Sequence, residues 1–207
     1  MGRKQWGTPF TTAGRDSLKV SLMKKLYVSL LFLMLFSTFH IPLSRGLPVE
    51  DLKLVTDGDY FQTAMKMIQE AKSSIHIIMF EMGYYDNRTS TPSNLLIKEL
   101  MAAGKRGVKV EVILDVREKE DRTTKRNRRT GKMLSDGGVE VTYDSLSKTT
   151  HAKVIVADRQ LTLLGSTNWT YQALSSNHEA CVLIRSKEVA KELTEYFNRV
   201  KAEGRKK

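Results

Sequence analysis

Beyond residue 50, hydrophobic and polar positions switch repeatedly between a period near two and a period near 3.6, the marks of strand and helix. Short apolar, β-branched runs predict strands at 51–55 (DLKLV), 74–82 (SIHIIMFEM), 108–115 (VKVEVILD) and 139–144 (VEVTYD). Further strands are predicted at 151–157 (HAKVIVA), 161–164 (LTLL) and 177–185 (NHEACVLIR). Phe61, Ala64, Met65, Ile68 and Ala71 recur at helical spacing and predict a helix over 60–72, with Asp57-Gly58-Asp59 as its turn and cap. Other helices are predicted at 95–105, ending near Gly104 or Gly107, at 127–136 before Gly137-Gly138, and at 187–201, an amphipathic closing helix. Residues 83–94 (GYYDNRTSTPSN) read as a polar loop. Strands alternating with helices predict an α/β fold, with a mixed central β-sheet flanked by helices on both faces. No internal repeat is evident.

Residues 1–46 follow another pattern. Lys24 and Lys25 precede LYVSLLFLMLF, and no Asp, Glu, Lys or Arg occurs from Leu26 to Leu43. A basic flank before a short apolar core is the layout of a secretory signal. Ser44-Arg45-Gly46 offers small residues for cleavage after Gly46, and Met23 is an alternative start. The uncharged run 26–43 is also just long enough for a retained membrane anchor. Either reading predicts export: a periplasmic or secreted protein, or one held at a membrane by its N-terminal segment. The expected organisation is a leader over 1–46 and one domain over 47–207, whose length and 41% hydrophobic content suffice for a core.

The net charge of +11 changes meaning once it is divided. The leader holds seven basic residues and one acid, so +6 belongs to it and +5 to the domain. Residues 117–132 (REKEDRTTKRNRRTGK) alone carry eight bases and three acids. This stretch follows a predicted strand, where α/β sheets place ligand loops. As a basic loop, its Arg122, Lys125, Arg126, Arg128 and Arg129 are candidates to track a phosphate backbone without sequence specificity. Tyr84 and Tyr85 are candidates to stack on bases. The single cysteine, Cys181, excludes an intrachain disulfide and reads as a core thiol within CVLI. His76 reads as a partly buried structural histidine.

The run HAKVIVADRQLTLLGSTN, residues 151–168, is the most specific stretch of the chain. Asp158, Arg159 and Gln160 lie between two predicted strands, so a hairpin is expected. With Arg159 and Gln160 as a two-residue loop, His151 falls opposite Asn168 and Lys153 opposite Ser166, all on one face. That face would hold a nucleophilic imidazole, a positive charge and hydrogen-bond donors, a set suited to a tetrahedral phosphodiester. It does not suit a metal, since Lys and an amide nitrogen are not ligands. Asp158 lies too far along the strand to reach a phosphate at His151, so a turn or ion-pair role is expected.

His151, Lys153, Asp158, Gly165, Ser166 and Asn168 match the signature of the phospholipase D superfamily at every gap. Over residues 50–202 the chain resembles the small, single-motif members, the secreted Nuc-type endonucleases. Glu179, eleven residues after Asn168, matches an acidic residue that supports the catalytic histidine in that group. The resemblance implies a phospholipase D-like domain in which one histidine attacks phosphorus to form a phosphohistidine. A second histidine protonates the leaving oxygen, while Lys and Asn hold the phosphoryl oxygens. No metal or other cofactor is implied. Two motifs are required and this chain has one, because His40, His76 and His178 lack a Lys two residues on. A homodimer pairing two copies of His151 is the consequence. Three functions follow in order: an endonuclease on DNA, RNA or both; a phospholipase D or phosphatidyl transferase; and a nucleic-acid-binding protein without turnover.

Overall fold

A computed structural model of the chain describes residues 2, 23–25 and 46–206. The predicted leader, including its uncharged run 26–43, falls outside the described residues apart from those few positions. Among the described residues no helix is long and apolar enough to cross a membrane.

Among the described residues eight strands build one sheet: β1 (Asp51–Thr56), β2 (Ser74–Met79), β3 (Lys109–Leu114), β4 (Glu140–Tyr143), β5 (Lys153–Ala157), β6 (Leu161–Gly165), β7 (Ala180–Arg185) and β8 (Arg205–Lys206). Their order is β1-β7-β6-β5-β2-β3-β4-β8. β2, β3 and β4 run parallel, and every other pairing is antiparallel. The helices are α1 (Asp59–Glu70), α2 (Pro92–Lys105), α3 (Arg122–Asp136), α4 (Tyr171–Ser175) and α5 (Lys187–Glu203). The mixed α/β sheet expected from the alternation is therefore present, and α4 and β8 are additions to it.

Strand alternation divides the core in two. Ile75, Ile77 and Met79 of β2 point with Val110, Val112, Leu114, Ile155 and Leu163 into the larger core. There they meet Ala64 and Ile68 of α1, Leu96, Ile97 and Leu100 of α2, and Leu134 of α3. Ile78 and Ile113 point the other way, onto Phe197 of α5. His76 shares that second face, its ring tilted against Phe197 at 4.9 Å with Nε2 3.1 Å from Glu111 Oε2, which is the structural role expected of it.

The expected turn and cap before α1 are present, with Gly58 as the N-cap and no side-chain cap bond, and Asp57 has a further role described below. One local expectation is corrected. The β5–β6 hairpin has a three-residue connection, and Ala157 pairs with Leu161. The register is shifted by one residue from the expected one, so continuing it sets Lys153 opposite Gly165, not Ser166. The cause lies at Asp158 and Arg159, both with left-handed φ (51° and 54°). Asp158 accepts from the backbone N–H groups of Lys72 (2.8 Å), Ser73 (2.7 Å) and Ser74 (3.0 Å). Burial acts against its ionised form, but those N–H groups outweigh it and hold the carboxyl below the usual range. Asp158 is thus a turn staple joining the hairpin to the start of β2.

Gly165 pairs with Cys181 at the end of β6. A Cβ there would stand 2.5 Å from both Ala180 O and Cys181 Cα. Gly165→Ala is expected to force the strands apart and to cost about 1–3 kcal/mol. Thermal unfolding followed by circular dichroism should show Tm lower by roughly 3–10 °C.

Candidate active site

The predicted residues gather at one end of the sheet, the C-terminal end of parallel β2, β3 and β4, where open α/β sheets carry their ligands. His151 precedes β5 and Lys153 is its first residue. Ser166 and Asn168 follow β6, and Glu179 precedes β7. Ser166 and Asn168 therefore reach this end from a loop beyond the strand, not by the cross-strand alternation the sequence suggested. Gly165 and Asp158 position the two ends of the hairpin and do not line the site.

His151 is exposed, and its ring rests on Phe80 with centroids 4.3 Å apart. The buried Lys153 places Nζ 3.2 Å from each ring nitrogen and 2.8 Å from the His151 carbonyl oxygen. Nζ also lies 4.9 Å from the Phe80 centroid, and the Arg117 guanidinium lies 5.7 Å from the same ring. Partial burial and the neighbouring charges of Lys153 and Arg117 push the imidazole pKa down. The ring is thus neutral near pH 7, the form a nitrogen nucleophile requires. Burial also lowers the Lys153 pKa, opposed by the negative charges of Glu179 and Asp115.

Glu179 is clamped in place. Its side chain accepts from Ser166 Oγ and, at 3.1 Å, from Asn177 Nδ2. Its backbone N–H donates to Asp57 Oδ1 at 2.8 Å, and the Asp57 N–H donates to its carbonyl at 3.0 Å. Asp57 is the brace of Glu179, a pairing across 122 residues that no local pattern displays. Asn168 Oδ1 is buried without a hydrogen-bond partner among the described residues. The next residue, the buried Trp169, fixes this loop: its backbone N–H donates to the Glu81 carbonyl at 3.0 Å, and its Nε1 to Tyr60 Oη at 3.0 Å.

Behind the histidine lie two carboxyls that sequence reading passed over. The Thr150 N–H, one residue before His151, donates to Asp115 Oδ1 (2.8 Å) and to Asp144 Oδ2 (3.1 Å). Asp115 is fully buried, and burial together with Asp144 raises its pKa to about 6, with the Thr150 N–H acting against them. Between pH 4 and 6 the folded chain keeps a proton that the unfolded chain has released, so stability falls as pH rises through that window. The loss is on the order of 2 kcal/mol. Asp115→Asn mimics the protonated carboxyl, and its expected result is a flatter stability profile over pH 4–6 and a higher Tm at pH 7.5. Urea unfolding at a series of pH values checks both.

From Arg122 onward the basic stretch is helix, not loop. Asp121 caps α3 by accepting from the Thr124 N–H at 2.7 Å, so the helix starts five residues before the predicted 127. Arg122, Lys125, Arg126 and Arg129 fall at i, i+3, i+4 and i+7 and line one side of a groove. Arg128 leaves this face and lies over the Tyr143 ring at 5.7 Å. Arg126 is ion-paired with Glu81 and Arg129 with Asp86. The opposite face of α3 buries Asn127 and Thr130. Asn127 Nδ2 donates to the carbonyls of Phe80 and Asp115, both at 2.7 Å, and its Oδ1 accepts from the Met82 N–H at 2.9 Å. Among the described residues no group of three or more His, Cys, Asp or Glu is placed to hold a metal ion.

The family described as "Cardiolipin synthase, PLD-like domain" matches residues 64–201, which include the whole motif. The chain belongs to the phospholipase D superfamily. It is similar in structure to a phospholipase D family member, Nuc from Salmonella typhimurium, at TM-score 0.64 and 25% identity over 76% of this chain and 97% of that one. NucT from Helicobacter pylori shares the fold at TM-score 0.59 and 17% identity, over 76% of this chain and 100% of that one. In sequence the chain is similar to a mitochondrial cardiolipin hydrolase of Mus musculus, 27% identical over 66% of this chain and 55% of that protein. It is likewise 27% identical to a phospholipase D of Rickettsia prowazekii, over 65% of this chain and 60% of that protein. The match therefore spans little more than half the length of these two sequence relatives.

Proposed function

We propose that the protein is an exported, metal-independent endonuclease acting on DNA, RNA or both. The observation that carries this reading is the cationic, tyrosine-lined groove along α3, whose Arg126 pairs with Glu81, the neighbour of the Phe80 on which the neutral His151 rests. In the proposed reaction His151 attacks phosphorus, and the bond from phosphorus to the leaving oxygen breaks. That oxygen takes a proton from His151 of a second copy, which enters the step as the imidazolium and leaves it neutral. Water, deprotonated by the same second histidine, then breaks the P–N bond and frees His151 with a phosphate monoester. Lys153 and Asn168 hold the phosphoryl oxygens, and Glu179 orients the site.

The need for a second histidine supports a homodimer, and one sheet face supports the same reading. Leu52 (53% exposed) and Leu54 (71% exposed) of β1 lie beside Ile184 and Val182 of β7. Leu164 of β6 extends this face toward Ser166. The uncharged run 26–43 supports export, by a cleaved signal or with the protein anchored in a membrane.

The names of the cardiolipin hydrolase and phospholipase D relatives favour a second reading, a lipid phosphodiester as substrate. Incubation of the purified protein in excess EDTA with plasmid DNA, with RNA and with cardiolipin vesicles separates the readings. Nucleic-acid cleavage is expected. Release of phosphatidic acid with both nucleic acids intact replaces it with the lipid reading.

A further inference from the structure

We propose that the groove beside the catalytic end is a nucleobase subsite, in which an unpaired base flanking the scissile phosphate stacks against Tyr171 and Tyr85. The proposal rests on the endonuclease reading and narrows its substrate to nucleic acid that is unpaired at the cut. The groove encloses about 590 Å³. Its walls are the cationic face of α3, the loop carrying Tyr85 and Arg88, and the start of α4 at Tyr171.

The Tyr85 ring is tied to the start of α4, because the Tyr171 backbone N–H donates to Tyr85 Oη at 3.1 Å. Each ring already carries a guanidinium, with Arg88 5.4 Å from the Tyr171 centroid and Arg126 5.5 Å from that of Tyr85. Tyr171 is 38% exposed and lines the groove. Flat π surfaces beside guanidinium planes are what a base stacks on, and neither a glycerol backbone nor an acyl chain uses them.

The cations fall into two groups. Arg126 and Arg129 are neutralised by Glu81 and Asp86, whereas Arg122 and Lys125 have no carboxylate partner among the described residues. The unneutralised pair suits the phosphates of a strand whose base enters the groove. The groove also adjoins the histidine through two short links. Tyr171 is three residues beyond Asn168, and Glu81, which holds Arg126, follows Phe80, on which His151 rests. A base inside a duplex offers neither face, so only a single-stranded or flipped-out nucleotide fits.

The test uses His151→Ala protein, which binds without cutting, and fluorescence anisotropy with a twelve-residue oligothymidylate or the same oligomer carrying abasic sites. The normal oligomer is expected to bind about ten-fold more tightly than the abasic one. Tyr171→Ala should abolish that difference and Tyr171→Phe should keep it. Arg122→Ala with Lys125→Ala should weaken both oligomers alike and flatten the salt dependence. Equal affinity for normal and abasic oligomers in the protein that retains Tyr171 overturns the subsite. If the wild type still cuts nucleic acid in EDTA, that result leaves the endonuclease reading standing. Cleavage of lipid alone removes both.

Discussion

Replacing His151 with alanine is expected to lower phosphodiester turnover by on the order of 10⁴–10⁶-fold while leaving the fold in place. The size of the effect follows from the role: without the imidazole no nitrogen reaches phosphorus, and the remaining charges bind substrate without opening a path. The tolerance of the fold follows from exposure. His151 contacts Phe80 and Lys153 but contributes no side chain to either core, so Tm should move by no more than about 2 °C. The same variant counts the histidines in a working unit. If each site needs His151 from two copies, mixing equal amounts of wild type and variant under subunit exchange leaves about a quarter of the activity. A chain that works alone leaves half. Turnover retained by the variant would remove His151 from the mechanism.

The element pattern was legible where apolar periodicity was strong. The runs around Ile77, Val112, Ile155 and Val182 are strands within a few residues of expectation, since each is buried on at least one face and must be apolar there. The N-terminal half of α3 was not legible, for a physical reason. Its inward face is Thr124, Asn127 and Thr130, which bond the loops after β2 and β3 in place of apolar packing. A helix that buries hydrogen bonds leaves no hydrophobic stripe, so its outward arginines read as a solvated loop. The hairpin register failed through one residue of turn geometry, set by Asp158 bonding to residues 72–74, more than eighty positions earlier.

The candidate site divides along the same line. His151, Lys153, Ser166, Asn168 and Glu179 stand at one end of the sheet, and a linear motif was enough to name them. Their supports come from elsewhere in the chain: Phe80 under the imidazole, Asp115 and Asp144 on the Thr150 amide, Asp57 on Glu179, Tyr60 on Trp169. None of these has a fixed spacing from the motif. In the structure most of them sit just past strand ends, Phe80 after β2 and Asp115 after β3, whereas Tyr60 lies in α1.

Asn127 shows how far such a support reaches, and Asn127→Leu carries the largest expected loss of stability. The side chain is fully buried and satisfies three backbone groups: the Phe80 carbonyl, the Asp115 carbonyl and the Met82 N–H. Leucine fills a similar volume, so water cannot replace the amide, and each orphaned group costs about 1–3 kcal/mol. The expected sum is about 3–5 kcal/mol, a fall in Tm on the order of 10 °C by thermal unfolding. Arg129→Ala, on the exposed face of the same helix, should change stability by no more than about 0.5 kcal/mol, because its pair with Asp86 is solvated on both sides. Turnover should also fall in the fraction of Asn127→Leu that remains folded. Phe80 carries the His151 ring and Asp115 carries the Thr150 amide, and both hang from this one side chain. A leucine variant as stable as wild type would mean that the loops after β2 and β3 hold their course without α3, and that the imidazole is positioned by β5 alone.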